Sequence, residues 1–387
     1  MRKIIRIAVV TVLVTAVALS AAAFIYRDRI ARLMTVNSLF DEANIVRNFS
    51  HMDAAFLTRD VPGGGGAPGS LPHAPEQDLP PGADQWIAER AVTGIVVLKD
   101  GRIAYENYYL GTAPTDRRIS WSMAKSFLSA LFGIVLAEGR IGSLDDQVTK
   151  YAPELVSSAY DGATIRNVLN MASGVRFDED YLDFGSDINR MGRVLALGRS
   201  MDGFAAGLTE RDRAPGEKWQ YVSIDTHVIG MVIRGATGRD IPDLMSEKLI
   251  RPLGLEATPY FVTDGDGVAF VLGGLNLRTR DYARLGQMFA QHGQWNGQQI
   301  VPADWVAAST TPSAPTQPGQ LQYGYQWWMP ADARTGEYFA QGIYGQYIYI
   351  DEARDVVIAI NAADRGFREP GVSADNIAML RKIAEGM

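Results

Sequence analysis

The residues Ser122-Met123-Ala124-Lys125 have the types and spacing for nucleophilic chemistry. They begin an apolar helical segment, and the i to i+3 spacing places the serine and the lysine on one helical face. A serine hydroxyl needs a base within hydrogen-bond reach before it attacks a carbonyl at neutral pH. Lysine can be that base where desolvation lowers its pKa. The pattern therefore predicts Ser122 as nucleophile and Lys125 as its general base.

Taken alone, the Ser-x-x-Lys spacing is a weak signal, because about one chance match is expected in a chain of this length. The alternative is an ordinary helix in which Ser122 caps the N-terminus and Lys125 is solvated. Ser122–Lys125 is the only match in the chain, and it follows two strand-like segments. This placement at a helix start favours the catalytic interpretation.

A second candidate segment, residues 215–223, leads into another apolar helix near Ile224. A Pro-Gly turn and a short strand would bring Tyr221 and Ser223 to the edge of a cleft, where Ser223 is predicted to bind substrate. We expect the Tyr221 phenol to have a lowered pKa beside Lys125 and to move protons between Ser122 and a leaving group. The alternative for Tyr221 is a half-buried core tyrosine.

The third candidate segment, residues 340–346, contains two glycines at the start of a late strand. Glycine lets the backbone approach a ligand closely. The N–H groups of Ser122 and Ile343 are therefore predicted to form an oxyanion hole. Gly342 and Gln346 are predicted to bind substrate in the same segment. The alternative is an edge strand with a β-bulge.

An acidic stretch, residues 178–187, surrounds Tyr181. Its carboxylates could recognise an amino-bearing substrate, with Tyr181 lining the pocket. The alternative, which the residue types favour, is a solvated loop.

The elements that must position these residues follow from periodicity and turn signals. Residues 92–98 and 102–108 are rich in β-formers and are joined by an Asp-Gly pair, which predicts a hairpin. Strands at both ends and helices between them predict one α+β domain, with an antiparallel sheet from both chain ends and an inserted helical region. The cleft between the two would hold the site. Helices are predicted at 122–138, 165–171, 224–237, 241–249, 279–291, 303–309 and 374–386, and further strands at 344–350 and 356–362.

The N-terminal residues 1–26 have the pattern of a membrane segment. Three positive charges precede an uncharged stretch over residues 7–26, which is long enough to span a bilayer. The favoured interpretation is an uncleaved signal anchor with the catalytic domain exported to the periplasm or the extracellular space. The alternatives are secretion after cleavage near Ala23 and a buried helix.

Two further regions complete the predicted organisation. Residues 27–90 form an N-terminal segment and a linker, whose Pro/Gly-rich part at 62–82 is predicted to contain no regular element. Residues 91–387 form the hydrolase domain.

Composition excludes several classes of function. The net charge of −7 and the lack of a basic stripe argue against a nucleic-acid partner. The chain has no cysteine, which excludes a thiol nucleophile and disulfides. The four histidines show no metal-ligand spacing, and no Gly-x-Ser-x-Gly elbow is present. We therefore expect neither a metal nor a cofactor.

The order of the three candidate segments resembles the penicillin-recognising serine hydrolases, above all the class C β-lactamase superfamily with its esterases, D-aminopeptidases and 6-aminohexanoate-dimer hydrolases. The resemblance extends over residues 90–385. In addition, residues 49–53 and the pair Gly345-Gln346 are most similar to the 6-aminohexanoate-dimer hydrolase branch. Further stretches that fit are residues 139–146, 164–174, 251–255, 273–279 and 323–328.

The resemblance implies a β-lactamase/transpeptidase-like fold and an acyl-enzyme on Ser122, with Lys125 as base and Tyr221 as proton shuttle. Ser223 stands where many relatives have Asn. Ala340 and Gln341 replace the Lys and Thr of a Lys-Thr-Gly motif, whose cation helps to hold a substrate carboxylate. Small-molecule esters or linear amides are therefore favoured as substrates.

Two other functions remain open from the sequence. A D,D-carboxypeptidase or β-lactamase would act on cell-wall peptides or β-lactams, and Ala340 argues against it. A membrane-anchored sensor or binding module would use the same fold without turnover, and the combination of Ser122, Lys125 and Tyr221 argues against that. The oligomeric state is left open.

Overall fold

The computed structural model describes residues 2–65 and 71–387, so the predicted linker lies partly outside them. Short 3-10 turns occur at Met52–Ala54, Trp121–Met123, Val148–Lys150, Pro153–Leu155 and Glu352–Arg354. A π-helical turn occurs at Ser246–Ile250. The α-helices are α1 (Arg2–Ile25), α2 (Arg27–Asn37), α3 (Ile45–Asn48), α4 (Ala83–Glu89), α5 (Ala124–Ala137), α6 (Ile165–Leu169), α7 (Asp187–Ala196), α8 (Met201–Ala206), α9 (Ser223–Thr237), α10 (Ile241–Met245), α11 (Arg251–Leu253), α12 (Thr279–Ala290), α13 (Ala303–Ser309) and α14 (Val372–Gly386).

The strands contribute to one large and two small sheets. The strands are β1 (Leu57–Asp60), β2 (Pro62–Gly65), β3 (Val92–Lys99), β4 (Arg102–Tyr108), β5 (Arg118–Ile119), β6 (Tyr260–Thr263), β7 (Leu275–Leu277), β8 (Gln294–Trp295), β9 (Gln298–Gln299), β10 (Gln322–Tyr323), β11 (Trp328–Met329), β12 (Glu337–Gly342), β13 (Gln346–Asp351) and β14 (Val356–Ala362). The large sheet has seven antiparallel strands in the order β10-β11-β12-β13-β14-β3-β4, and the smaller ones are β1-β6-β7-β5 and β8-β9.

The large sheet is covered on both faces, which explains the continuous apolar runs of β3 and β14. Every residue of β14 is buried, and Val97 of β3 is paired with Ile358. These two side chains pack in the cluster that includes Leu380 of α14, whereas Val96 and Val357 belong to the main core. The sheet joins β3 and β4 to the late strands, so the predicted α+β arrangement from both chain ends is confirmed.

The small sheet β1-β6-β7-β5 was not predicted from the sequence. It holds the chain immediately before Ser122, because the Ile119 N–H donates to Phe49 O at 3.0 Å and the Ser120 N–H donates to Leu275 O at 2.8 Å. The nucleophile candidate is thus fixed by both the N-terminal segment and β7.

Several predicted elements differ from the structure. The stretch 62–82 was predicted to have no regular element, but Pro62–Gly65 forms β2, which packs on the π-helical turn. Residues 215–222 form no strand; their loop is held by backbone bonds such as Gln220 N–H to Met171 O at 2.9 Å. The buried core also extends upstream of residue 91, since Leu39 and Phe49 pack within it.

Candidate active site

Ser122 lies in the 3-10 turn that precedes α5, after a residue with an unfavourable backbone conformation. Trp121 has φ +41°, in the left-handed region that costs a non-glycine residue about 1–3 kcal/mol. Its indole packs in an aromatic cluster, with ring centroids at 5.8 Å from Phe40, 5.5 Å from Phe49 and 6.2 Å from Tyr344. This packing holds the turn that presents the Ser122 hydroxyl.

Lys125 is buried against the nucleophile candidate. Its Nζ lies 3.1 Å from Ser122 Oγ and 2.7 Å from the carbonyl oxygen of Leu272, and the residue is 2% exposed. Burial disfavours the ammonium form and lowers the pKa of Lys125 to about 7. The alternative of a solvated lysine is therefore wrong. A neutral amine at this position can accept the Ser122 proton.

Tyr221 completes the group of three, since it borders the smaller of the cavities at Ser122 and its ring is 5.4 Å from Lys125 Nζ. The ring stacks on Trp328 at a centroid distance of 5.4 Å. The expected lowering of its pKa is wrong. Burial raises the pKa of Tyr221 and outweighs the opposing effect of the nearby Ser122 hydroxyl. The phenol therefore stays protonated at neutral pH and can donate a proton.

Two buried carboxyl groups lie behind Lys125. Glu179 accepts a hydrogen bond from the backbone N–H of Ser223, and burial raises its pKa. Asp225 accepts from the Tyr160 hydroxyl at 2.7 Å, and burial raises its pKa to about 8. Both carboxylates favour the ammonium form of Lys125 and so oppose the effect of burial.

Sequence reasoning missed these carboxyl groups. Glu179 belongs to the acidic stretch that was expected to be solvated, yet it turns inward while its neighbours Asp178 and Asp180 are exposed. Its contact with Ser223 joins residues 44 positions apart, so no local pattern marks it. The Leu272 carbonyl has no sequence signal at all.

The predicted oxyanion donors lie at one place. Within residues 2–65 and 71–387, neither the Ser122 N–H nor the Ile343 N–H donates a hydrogen bond. A Cβ on Gly342 would lie 3.1 Å from Ser122 N and 2.7 Å from Ser120 O, so only glycine permits this approach of β12. Ser122 and Ile343 border the same two cavities. Unpaired N–H groups are the donors that a developing oxyanion needs, so the oxyanion hole stays a prediction for this pair.

Two cavities meet at Ser122, and the predicted substrate-binding residues differ in which of the two they border. The smaller cavity, about 190 Å³, is bordered by Gly342 and Tyr221. The larger, about 440 Å³, is bordered by Ser223. Tyr181 borders both.

Gln346 borders neither cavity. Its amide donates to Ala362 O at 2.7 Å and to Ile343 O at 3.3 Å. These bonds fix the turn after β12. Gln346 therefore positions the Ile343 N–H, and we do not propose that it contacts substrate.

The pKa of Lys125 makes the reactivity of Ser122 depend on pH in a defined direction. Below about pH 7 the ammonium form cannot accept a proton, so the rate of Ser122 labelling by a fluorophosphonate should fall about tenfold per pH unit. Above pH 7 the rate should level off. An ordinary lysine would keep the rate rising to about pH 10, and that profile would contradict the assignment. The Ser122→Ala variant gives the background.

The charge of Glu179 should affect the pH at which the rate of Ser122 labelling rises. Because Glu179 raises the pKa of Lys125, Glu179→Gln should lower this pKa and move the rising limb of the labelling profile to lower pH. The matched control is Asp180→Asn, an exposed neighbour, whose profile should coincide with that of the wild type. A limb that stays in place in Glu179→Gln, or moves to higher pH, would show that Glu179 does not act on Lys125 electrostatically.

Comparisons with known proteins show the family of the chain. Residues 83–380 match the Beta-lactamase family. The 6-aminohexanoate-dimer hydrolase of Paenarthrobacter ureafaciens is 31% identical over 293 residues, which cover 72% of this chain and 74% of that protein. The resemblance inferred from the sequence is thereby confirmed.

Solved structures show the same fold. A Bacillus anthracis protein provisionally assigned as a 6-aminohexanoate-dimer hydrolase superimposes with a TM-score of 0.80 at 23% identity, covering 90% of this chain and 95% of that one. A family VIII carboxylesterase superimposes with a TM-score of 0.61 at 13% identity, covering 81% of this chain and 99% of that one. The chain therefore belongs to the β-lactamase family, and it is a hydrolytic enzyme with the β-lactamase/transpeptidase-like fold.

Proposed function

We propose that this enzyme cleaves ester or linear amide bonds through an acyl-enzyme on Ser122. The observation that carries the proposal is the Lys125 amine, 3.1 Å from Ser122 Oγ and with a pKa lowered to about 7. A base whose pKa lies near the working pH combines a sufficient neutral fraction with a useful driving force for proton transfer.

Each remaining group has a role in this reaction. Ser122 attacks the carbonyl and passes its proton to Lys125. The oxyanion forms between the N–H groups of Ser122 and Ile343. Tyr221, still protonated because burial raises its pKa, donates to the leaving group and regains a proton from Lys125. Water then attacks the acyl-enzyme by the reverse path and releases the acid.

The smaller cavity has an uncharged lining next to the reacting carbonyl. None of the described residues that border it is charged. At the position of the Lys-Thr pair in the resembling enzymes, Ala340 is buried and the Gln341 amide donates to the Tyr347 hydroxyl at 3.0 Å. A carboxylate close to the scissile bond, as in β-lactams and D-alanyl peptides, would meet no cation among the described residues that border this cavity. The carboxylate of a 6-aminohexanoate leaving group is five methylenes away from that bond, so this argument does not apply to it.

The relatives suggest which bonds to test. The P. ureafaciens enzyme is named for a linear amide and the carboxylesterase for esters. A serine nucleophile can cleave either kind of bond through an acyl-enzyme. Linear amides of the 6-aminohexanoate type and carboxylic esters are therefore the first substrates to examine.

A substrate panel tests the proposal on the full chain and on Ser122→Ala. We expect turnover of p-nitrophenyl acetate, p-nitrophenyl butyrate or 6-aminohexanoate dimer, and a loss of about 10³-fold or more in kcat/KM without the nucleophile. Turnover of nitrocefin at a comparable rate would show that β-lactams are substrates despite Ala340. No turnover together with no fluorophosphonate labelling of Ser122 would indicate a binding module.

The location of the enzyme is a separate proposal. We infer that α1 is an uncleaved signal anchor and that the catalytic domain is exported. All 24 residues of α1 are unburied, its helix is apolar enough to cross a membrane, and a signal sequence would meet the same criteria. Its length of about 36 Å exceeds the hydrocarbon core.

Fractionation of cells that express the full chain distinguishes the two possibilities. An anchor predicts that the protein stays in the membrane fraction after carbonate washing and keeps its original N-terminus. A C-terminal tag should then be digested by protease added outside the membrane. A soluble exported chain that begins near residue 24 would instead establish signal cleavage.

A further inference from the structure

The larger of the two cavities at Ser122 has apolar walls. Its volume of about 440 Å³ falls within the range of about 300–1,000 Å³ for small-molecule sites. Buried hydrophobic side chains form most of the walls, among them Leu39, Phe56, Met191, Leu195, Phe270 and Leu272. An apolar cavity of this size next to a nucleophile can hold a hydrocarbon group of the substrate.

Two of the polar side chains at this cavity, those of Asn189 and Arg193, are already engaged by protein. The Asn189 amide donates to Tyr181 O at 3.1 Å and to Asp183 O at 2.8 Å. Arg193 donates to Phe184 O at 2.7 Å and lies 4.0 Å from the Phe184 ring centroid. Among the described residues that border the cavity, Arg193 is the only charged one. A charged substrate group would therefore gain little here.

The positions of the proton donor and the cavities orient the substrate. Tyr221 borders only the smaller cavity of the two, and the leaving group must face the Tyr221 hydroxyl to receive its proton. The acyl part, on the other side of the carbonyl, then extends into the larger cavity. Ser122 and Ile343 border both cavities, as the shared carbonyl requires.

The mouth of the larger cavity is apolar and lies close to the N-terminal helix. Leu182 and Phe184 border it with exposed fractions of 88% and 76%, so both add apolar surface there. Val36 and Asn37, at the end of α2, form part of the wall. α2 has 11 residues, so about 16 Å of helix separates this wall from the end of α1.

We propose that the larger cavity binds a medium- or long-chain acyl group, so that the substrate is an amphiphilic ester or amide. The proposal rests on the hydrolytic role of Ser122 given above. The Ser122 Oγ–acyl bond forms as the bond to the alcohol or amine breaks, and the leaving group takes the proton that came from Ser122. Water then cleaves the acyl-enzyme and yields the free fatty acid.

The test measures kcat/KM for p-nitrophenyl esters from acetate to dodecanoate, with the full chain held in phospholipid nanodiscs. Each methylene that enters an apolar site should raise kcat/KM by up to about fourfold, which is the transfer free energy of about 0.8 kcal/mol expressed as a rate ratio. We expect the rise to continue through the medium-chain esters until the cavity is filled.

A substitution that fills the cavity separates binding in the cavity from partitioning of long esters into the nanodisc. Gly192 lies in α7 and borders the cavity, and a Cβ there would meet no atom within 4 Å. Gly192→Phe should therefore abolish most of the gain from octanoate onward relative to acetate. The matched control is Gly386→Phe, at the exposed end of α14 with equally open space, and it should keep the wild-type chain-length profile.

The possible outcomes distinguish this proposal from the one on which it rests. Turnover with a flat or falling chain-length profile would overturn the acyl-group assignment and leave Ser122 hydrolysis intact. A profile that Gly192→Phe leaves unchanged would do the same. Absence of all turnover, acetate included, with no fluorophosphonate labelling of Ser122 would overturn both.

Discussion

The burial of the Lys125 amine is the constraint on which the rest of the site depends. An ammonium ion removed from water is costly unless it is paired, and here its nearest acceptors are the neutral Ser122 hydroxyl and the Leu272 carbonyl. The apolar residues of α5 exclude water and lower the lysine pKa to about 7. The carboxyl groups of Glu179 and Asp225 limit that shift, so the amine is poised between its two protonation states rather than held neutral.

The same burial separates the roles of Lys125 and Tyr221. The nearby cation was expected to lower the Tyr221 pKa, but the phenolate is disfavoured by desolvation just as the ammonium is. Burial therefore moves the two pKa values in opposite directions, towards a neutral amine and a neutral phenol. This is the pair of states needed when Ser122 attacks, with a base to receive its proton and an acid to protonate the leaving group.

Local patterns in the sequence were sufficient to predict that Ser122 and Lys125 lie side by side, because their spacing depends only on helix geometry. They also predicted β4 and β14 to the residue, since apolar runs and turns mark such strands. They did not predict β6 and β7, or the Leu272 carbonyl, which lies 147 positions from Lys125. Contacts between residues so far apart in the sequence arise from packing of the whole chain, and the periodicity of a local segment does not predict them.

The N-terminal segment is part of the catalytic structure, although the family match begins only at residue 83. Phe40 and Phe49 pack against the rings of Trp121 and Tyr344, and both of those residues have positive φ, +41° and +62°. Ser122 follows Trp121 and Ile343 precedes Tyr344, so each proposed oxyanion donor adjoins a residue held in an unfavourable conformation. Such conformations persist only where packing enforces them. Residues of the segment that leads from α1 thus help to fix the geometry of the proposed oxyanion hole.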